Sequence, residues 1–328
     1  MNDQSHIVTG EIPVPQSNAS FIVAALYKFV VLDDIADWQV KFKDICSQAG
    51  AMGTLLIAEE GLNGTISAPY DGMVHFVNSL RSFDAFDDIA IKYAIHEERP
   101  FHRMKVRLKK EIVTMGRADI YPSQQAGIYV EPKDWNELIS DPDTMVVDTR
   151  NNYETAIGSF AGAIDPDTTS FREFPAWAEQ LSSLPEDKKP KKLAMFCTGG
   201  IRCEKSTALM RSYGFDEVYH LKGGILKYFE DVPAEDSLWQ GECFVFDSRV
   251  SVDHKLAKGS YELCYACRMP ITADEMDDER YLPGLSCPHC FEHKTDSQLA
   301  RYRERQKQVA LAKERGEAHI GAVRDAAE

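Results

Sequence analysis

No apolar run in this sequence is long enough to cross a bilayer. The best candidate, residues 21–32, spans only twelve residues and contains Lys28. The first twenty residues lack the basic start and small-residue cleavage site of a secretory signal. The expectation is a cytoplasmic protein with no membrane partner, whose eight cysteines are reduced thiols or metal ligands rather than disulfides. A basic excess is also missing: 37 Lys and Arg face 52 Asp and Glu, for a net charge of −15. That balance excludes a wholly basic nucleic-acid-binding protein but allows a local basic surface, because binding depends on where charge sits. There is no dinucleotide fingerprint, no facial-triad spacing and no flavin signature, so the residues themselves identify no electron donor. Internal repeats are absent as well.

What is present is an ordinary soluble composition, 44% hydrophobic and 27% charged, over 328 residues, which predicts two or three domains. Residues 1–19 read as a tail. Residues 20–125 alternate strand and helix patterns in the order β-α-β-β-α-β, which predicts a ferredoxin-like α+β domain. Strands are expected at 53–58 and 64–68, joined through Glu59-Glu60-Gly61-Leu62-Asn63, with Asn63-Gly64 as a turn signal. A further strand is expected over 104–115. Residues 126–240 carry buried strand patterns between helices, the mark of a parallel-sheet α/β domain. One helix is expected over 204–213, stopped by Gly214. Residues 241–295 are small and cysteine-rich. Residues 296–328 read as a polar helix, with Asp296 as its cap and Gly316 as its end.

The chemistry concentrates at Phe196-Cys197-Thr198-Gly199-Gly200-Ile201-Arg202-Cys203-Glu204. A buried strand delivers Cys197 into a glycine-containing loop that runs straight into a helix. Such a loop, Thr198 to Ile201, aims backbone N–H groups and the positive helix end at the sulfur, and Arg202 adds a fixed charge. A thiolate or persulfide anion is stabilised there and the thiol pKa falls. The alternative is a buried structural cysteine at a strand end. Phosphatase chemistry is disfavoured because that class places five residues between cysteine and arginine, and here there are four. Cys203 is either a resolving thiol for a persulfide or a helix-packing residue.

A second signal is Cys264-Tyr265-Ala266-Cys267 with Cys287-Pro288-His289-Cys290, nineteen residues apart. Two such knuckles supply four thiolates, Cys264, Cys267, Cys287 and Cys290, for a structural Zn²⁺. His254, His289 and Cys243 are weaker substitutes. A third signal is Arg103-Met104-Lys105-Val106-Arg107-Leu108-Lys109-Lys110. On a strand, Arg103, Lys105, Arg107 and Lys109 share one face, which serves either as a solvated surface or as a phosphate-binding one. Residues 301–315 hold six basic and two acidic residues and read as a solvated helix, with RNA contact as the alternative.

Residues 129–232 resemble a rhodanese domain. The likeness rests on Asp148-Thr149-Arg150 with Tyr153-Glu154, on Ser159-Phe160-Ala161-Gly162-Ala163-Ile164, and on Leu221-Lys222-Gly223-Gly224-Ile225. Ser159 stands where that family commonly has histidine, so no role for that histidine is carried over. The loop from Cys197 to Lys205, with Ala58 to Gly64 and Met104-Lys105-Val106-Arg107, resembles the bacterial tRNA uridine-34 hydroxylases over about residues 20–292. That resemblance implies O₂-dependent hydroxylation of the wobble uridine to 5-hydroxyuridine, with Cys197 implicated and tRNA held by the basic strand. Two alternatives stand beside it: a sulfurtransferase carrying a persulfide on Cys197, and a non-catalytic zinc-ribbon RNA-binding or adaptor protein. The oligomeric state is not legible.

Overall fold

The computed structural model describes residues 8–15, 20–247 and 249–315. Most of the expected 1–19 tail, and the end of the 296–328 segment with Gly316, lie outside the described residues. Among the described residues no helix is long and apolar enough to cross a membrane. The chain forms two compact units: one holds the residues up to 243 together with 254–257, the other 244–253 and the residues from 258 onward.

The first unit opens with a mixed six-stranded sheet. Its strands are β1 (Val8–Thr9), β2 (Phe21–Phe29), β3 (Met52–Ala58), β4 (Gly61–Pro69), β5 (Ile91–His96) and β6 (Met104–Leu108), in the spatial order β1-β5-β2-β4-β3-β6. Helices α1 (Ile35–Gln48) and α2 (Tyr70–Arg81) complete the expected β-α-β-β-α-β order. Alternation along β2 buries Ile22, Ala24 and Leu26, while the helical period of α1 buries Phe42, Ile45 and Cys46 in the same core. Trp38 stacks on Phe42 and meets Phe83 and Phe86 edge-on, which closes the helix end of the layer.

Two expectations in this half need correction. The hairpin turn is Glu59-Glu60, with Ala58 already paired to Gly61, and Asn63 and Gly64 lie inside β4 opposite Leu56 and Leu55. Asn63 spends its amide on Ile112 O at 2.8 Å, a contact 49 residues away, rather than on a turn. The expected 104–115 strand ends at Leu108. Beyond it the chain folds over Ile112 and Met115, both buried, and Glu111 accepts the N–H groups of Met115 and Gly116.

The same unit continues through α3 (Pro122–Gln125), β7 (Ile128–Val130), α4 (Pro132–Ser140), β8 (Thr144–Asp148), α5 (Asn152–Thr155), β9 (Gly158–Phe160), α6 (Phe174–Ser182) and β10 (Lys192–Phe196). It ends with α7 (Ile201–Ser212), β11 (Glu217–Leu221), α8 (Gly224–Asp231) and β12 (Trp239–Gly241). The sheet β7-β11-β10-β8 is parallel throughout. Its inner strand β10 is buried from Leu193 to Phe196, as a strand covered on both faces must be. Phe196 stands opposite Asp148, so the Cys197 loop and Asp148-Thr149-Arg150 leave the sheet at one carboxyl edge, where open α/β sheets bind ligands. Helix α7 begins at Ile201 rather than at Glu204, because Gly200, at φ 102°, bends the chain into it.

Lys205 of α7 joins the two halves of the unit. Its fully buried ammonium lies 2.5 Å from Glu60 Oε2 and 2.8 Å from Glu111 Oε2. Ile112 N–H donates to the other Glu60 oxygen at 2.7 Å. Burial pushes the Glu60 carboxyl up, and Glu111 is held low mainly by Lys205 and by backbone N–H groups that outweigh its burial. Ile201 packs beside this contact on Phe29, Ala58 and Ile112.

In the second unit, strands Glu262–Leu263 and Pro270–Ile271 pair antiparallel around the first cysteine knuckle. A helix over Asp296–Glu314 is capped by Thr295, not Asp296, through a capping box with Gln298. Arg305 donates to Tyr265 O at 2.7 Å and to Gly284 O at 3.1 Å, so one cation of the expected solvated helix is tied to the cysteine-bearing loops.

Replacing Lys205 by Ala leaves two buried carboxylates without their cation. The expected cost is about 3–5 kcal/mol, measured by urea unfolding; an unchanged midpoint would show that this contact holds nothing together.

Candidate active site and metal centre

Cys197 follows the last residue of β10 and is 1% exposed. Its Sγ accepts the Gly200 N–H at 3.1 Å. Burial alone would raise its pKa. The Cys203 thiol, the Arg202 charge and the N–H groups of Cys203 and Gly200 outweigh burial and bring it down to about 5, so the sulfur is a thiolate at neutral pH. Cys203 moves the opposite way: burial and the neighbouring Cys197 anion keep it a thiol, the form that donates. The fold therefore brings together the two sulfurs that the sequence singled out, and Thr149 Oγ1 lies 3.6 Å from Cys203 Sγ behind them.

Arg202 is not left facing an open loop. It forms a two-pronged pair with buried Glu154, Nη1 to Oε1 at 2.6 Å and Nη2 to Oε2 at 2.7 Å. Burial opposes ionisation of Glu154, but Arg202 holds its carboxyl below the ordinary range. Asn151 fixes Glu154 in turn through the capping box of α5. Thr198 Oγ1 approaches the same carboxylate at 3.4 Å. Arg150, also fully buried, forks onto Asp148 and donates to Gly158 O. Ser159, at the position where the rhodanese family commonly has histidine, donates to Asp148 Oδ2 at 2.8 Å.

The Gly223-Gly224 pair has a steric reason. Gly224 is at φ 69°, and a Cβ there would stand 2.5 Å from Cys197 O and 2.7 Å from Thr198 O. This close approach lets the first N–H groups of α8 reach the loop: Ile225 donates to Cys197 O at 3.0 Å and Leu226 to Thr198 O at 3.2 Å. Gly199 is half-buried in open space, and Ile201 serves packing between the two halves rather than the anion loop.

Tyr27, Tyr129 and Lys92, beside the loop, escaped the sequence reading. Tyr27 of β2 donates to Glu204 Oε1 at 2.9 Å, and its hydroxyl leaves no room for a side chain at Gly200: a Cβ there would be 2.6 Å away. Tyr129 of β7 is the second phenol hydrogen-bonded to Glu204, and its ring lies tilted against His220 with ring centres 4.1 Å apart. Burial raises the Glu204 carboxyl to about 7 against the two phenols. Lys92 of β5 donates to Gly223 O at 2.7 Å, and burial pulls its ammonium down. Tyr27 and Lys92 lie more than a hundred residues from the loop. Their only sequence signal is a polar residue in a strand facing a partner that the sequence does not name.

On β6, Val106 is buried while Arg107 is exposed and Lys105 half-exposed, with Arg103 and Lys109 exposed just outside the strand. Arg103, followed by Arg107, pushes the Lys105 ammonium down, so these cations feel one another.

In the second unit, the ligand atoms of Cys264, Cys267, Cys287 and Cys290 all lie within 4.8 Å of one another and could hold a metal ion. Cys267 Sγ is 3.6 Å from Cys287 Sγ, and Cys287 Sγ is 3.8 Å from Cys290 Sγ. His289 is turned to Glu275 at 2.6 Å, and Cys243 and His254 belong to the first unit.

Comparison with known proteins gives two family matches, a UPF0176 acylphosphatase like domain over residues 21–112 and a rhodanese-like domain over residues 131–231. A tRNA uridine(34) hydroxylase of Rhizobium leguminosarum bv. trifolii is 56% identical over 301 residues, covering 92% of this chain and 96% of the relative. One of Mesorhizobium japonicum is 55% identical over 300 residues, covering 91% and 96%. Among solved structures, the rhodanese-like domain of an Anabaena protein is 20% identical, covers 34% of this chain and 78% of its own, and has a TM-score of 0.27.

Proposed function

The chain belongs to the family of tRNA uridine(34) hydroxylases, and on that footing we propose that it hydroxylates uridine 34 of tRNA with Cys197 as the reactive residue. The observation that carries this reading is the buried Cys197 thiolate, held by Gly200 N–H and the Cys203 thiol at the carboxyl edge of a parallel sheet. The product is 5-hydroxyuridine and the oxygen source is O₂. A tRNA substrate implies a cytoplasmic site of action. Thr198, Gly199, Gly200 and Arg202 maintain the anion; Arg202 does so from its pair with Glu154 rather than by direct contact with substrate. Cys203 keeps a proton against the thiolate and is the natural resolving thiol should Cys197 be oxidised.

A sulfurtransferase draws support from the same cradle, since a persulfide is also an anion. Nucleoside mass spectrometry of tRNA from cells lacking this protein separates the two readings. Restoring the wild-type chain is expected to restore 5-hydroxyuridine, and restoring folded Cys197→Ser is expected to leave it absent. Full modification by the serine variant would remove Cys197 from the reaction.

Arg103, Lys105, Arg107 and Lys109 bind tRNA phosphates. The net charge of −15 supports a local patch, because general attraction to RNA is unavailable. Exchanging two of them for Glu is expected to weaken tRNA binding and to shrink the slope of log affinity against log salt by about 0.7–0.9 per lost contact. Wild-type affinity with wild-type slope would make this face a solvated one.

The metal is Zn²⁺, bound structurally by Cys264, Cys267, Cys287 and Cys290. A tetrahedral site with Zn–S near 2.3 Å places its sulfurs about 3.8 Å apart; two of the pairs here stand 3.6 and 3.8 Å apart, and all four sulfurs lie within 4.8 Å of one another. Elemental analysis of protein purified without added metal is expected to find about one zinc per chain. Four freely titrating thiols and no zinc would refute the assignment.

A further inference from the structure

Glu204 takes no part in holding the sulfur, yet it stands at the loop's edge. Its N–H bonds Gly200 O at 3.2 Å, which sets it one helical turn beyond the residue that donates to Cys197. Tyr27 approaches its carboxyl from β2, at 2.9 Å, and Tyr129 from β7. The nearby cations are otherwise engaged: Arg202 by Glu154, Lys205 by Glu60 and Glu111, Lys92 by Gly223 O. The groups facing Glu204 are therefore two phenols and the Cys197 thiolate. Such a carboxyl keeps its proton longer than a solvated one and exchanges it readily near neutrality. Tyr129 is 50% exposed and gives this cluster an outlet to water.

We propose that Glu204 is the general base of the Cys197 centre, accepting the proton that leaves C5 of uracil when oxygen has been added there. The proposal rests on the hydroxylase reading above. The step is a proton transfer: the C5–H bond breaks, its electron pair stays in the ring, and the carboxylate becomes a carboxylic acid. Tyr129 then relays the proton to solvent by exchanging its own hydroxyl proton, and the carboxylate is restored. Burial sets the Glu204 pKa at about 7, with the Cys197 anion adding to it and the tyrosines opposing. The base is thus partly ionised at working pH, where general bases are most effective.

The test is the pH profile of single-turnover tRNA hydroxylation by the full chain. Wild type is expected to gain rate as pH rises through about 5, where Cys197 ionises, and again through about 7, where Glu204 does. Glu204→Gln keeps the shape and loses the charge: the second rise disappears, and the rate at pH 8 falls about a hundredfold or more. Tyr27→Phe removes a hydrogen bond that favours the carboxylate, so the second rise moves to higher pH. A second readout needs no tRNA: the ultraviolet thiolate signal of Cys197, taken as the difference from Cys197→Ser. In Glu204→Gln its midpoint is expected to stay near 5, because Glu204 is still protonated where Cys197 ionises, so a lost rate is not a lost thiolate. A Glu204→Gln enzyme within threefold of wild type, a retained second rise, or a thiolate midpoint raised far enough to account for the lost rate overturns the proposal. A wild-type chain that leaves tRNA unmodified overturns the hydroxylase reading itself, and the base assignment with it.

Discussion

A lysine ammonium buried between two glutamates is the constraint on which the site depends. Taking Lys205, Glu60 and Glu111 out of water carries a large desolvation cost, offset only where each charge keeps its partners. The backbone supplies the remainder: Ile112 N–H serves Glu60, and Met115 and Gly116 N–H serve Glu111. Those three donors belong to the chain just beyond β6, so the loop after the N-terminal sheet is shaped by the same contact. Once Lys205 is seated, the rotation of α7 is fixed. Successive residues of a helix turn by about 100°, and residues 202 to 205 accordingly meet four different environments. Arg202 meets Glu154, Cys203 meets Cys197 and Thr149, Glu204 meets Tyr27 and Tyr129, and Lys205 meets the N-terminal half.

That arrangement explains how a cysteine with 1% exposure is held as an anion. Burial works against the thiolate, and four separate donors or charges overcome it, none of them a mobile surface group. Arg202 contributes through a rigid fork with Glu154, which costs it freedom to follow a ligand but fixes its charge beside the loop. The N-terminal half closes over the same loop through the Tyr27 hydroxyl at Gly200 and the Lys92 ammonium at Gly223 O. The surroundings of Cys197 are therefore built by both halves of this unit and not by the rhodanese-like half alone.

The second unit is organised differently. One cluster in it gathers buried Cys264, Cys287, Cys290 and Ile271, with Tyr281 and Met276 packed against them. The Arg305 contacts to Tyr265 O and Gly284 O draw the long helix onto the two cysteine-bearing loops.

The sequence by itself determined what depends on local period and spacing. Alternation and helical period gave the β-α-β-β-α-β order and the parallel-sheet half; strand-to-helix continuity singled out Cys197; paired Cys-x2-Cys spacing singled out the four thiols. Tertiary structure decided whatever depends on a partner distant in sequence. Asn63-Gly64 reads as a turn, yet Asn63 answers to Ile112 and remains in β4. Arg202 reads as a fixed charge of the cradle, yet Glu154, 48 residues earlier, takes both its terminal nitrogens. Tyr27 and Glu204, 177 residues apart, carry no joint signal because neither residue type nor spacing encodes which strand will close over which helix. The physical reason is one of range: hydrophobic period and turn chemistry act within a few residues, whereas a buried hydrogen bond or ion pair is set by which surfaces pack together.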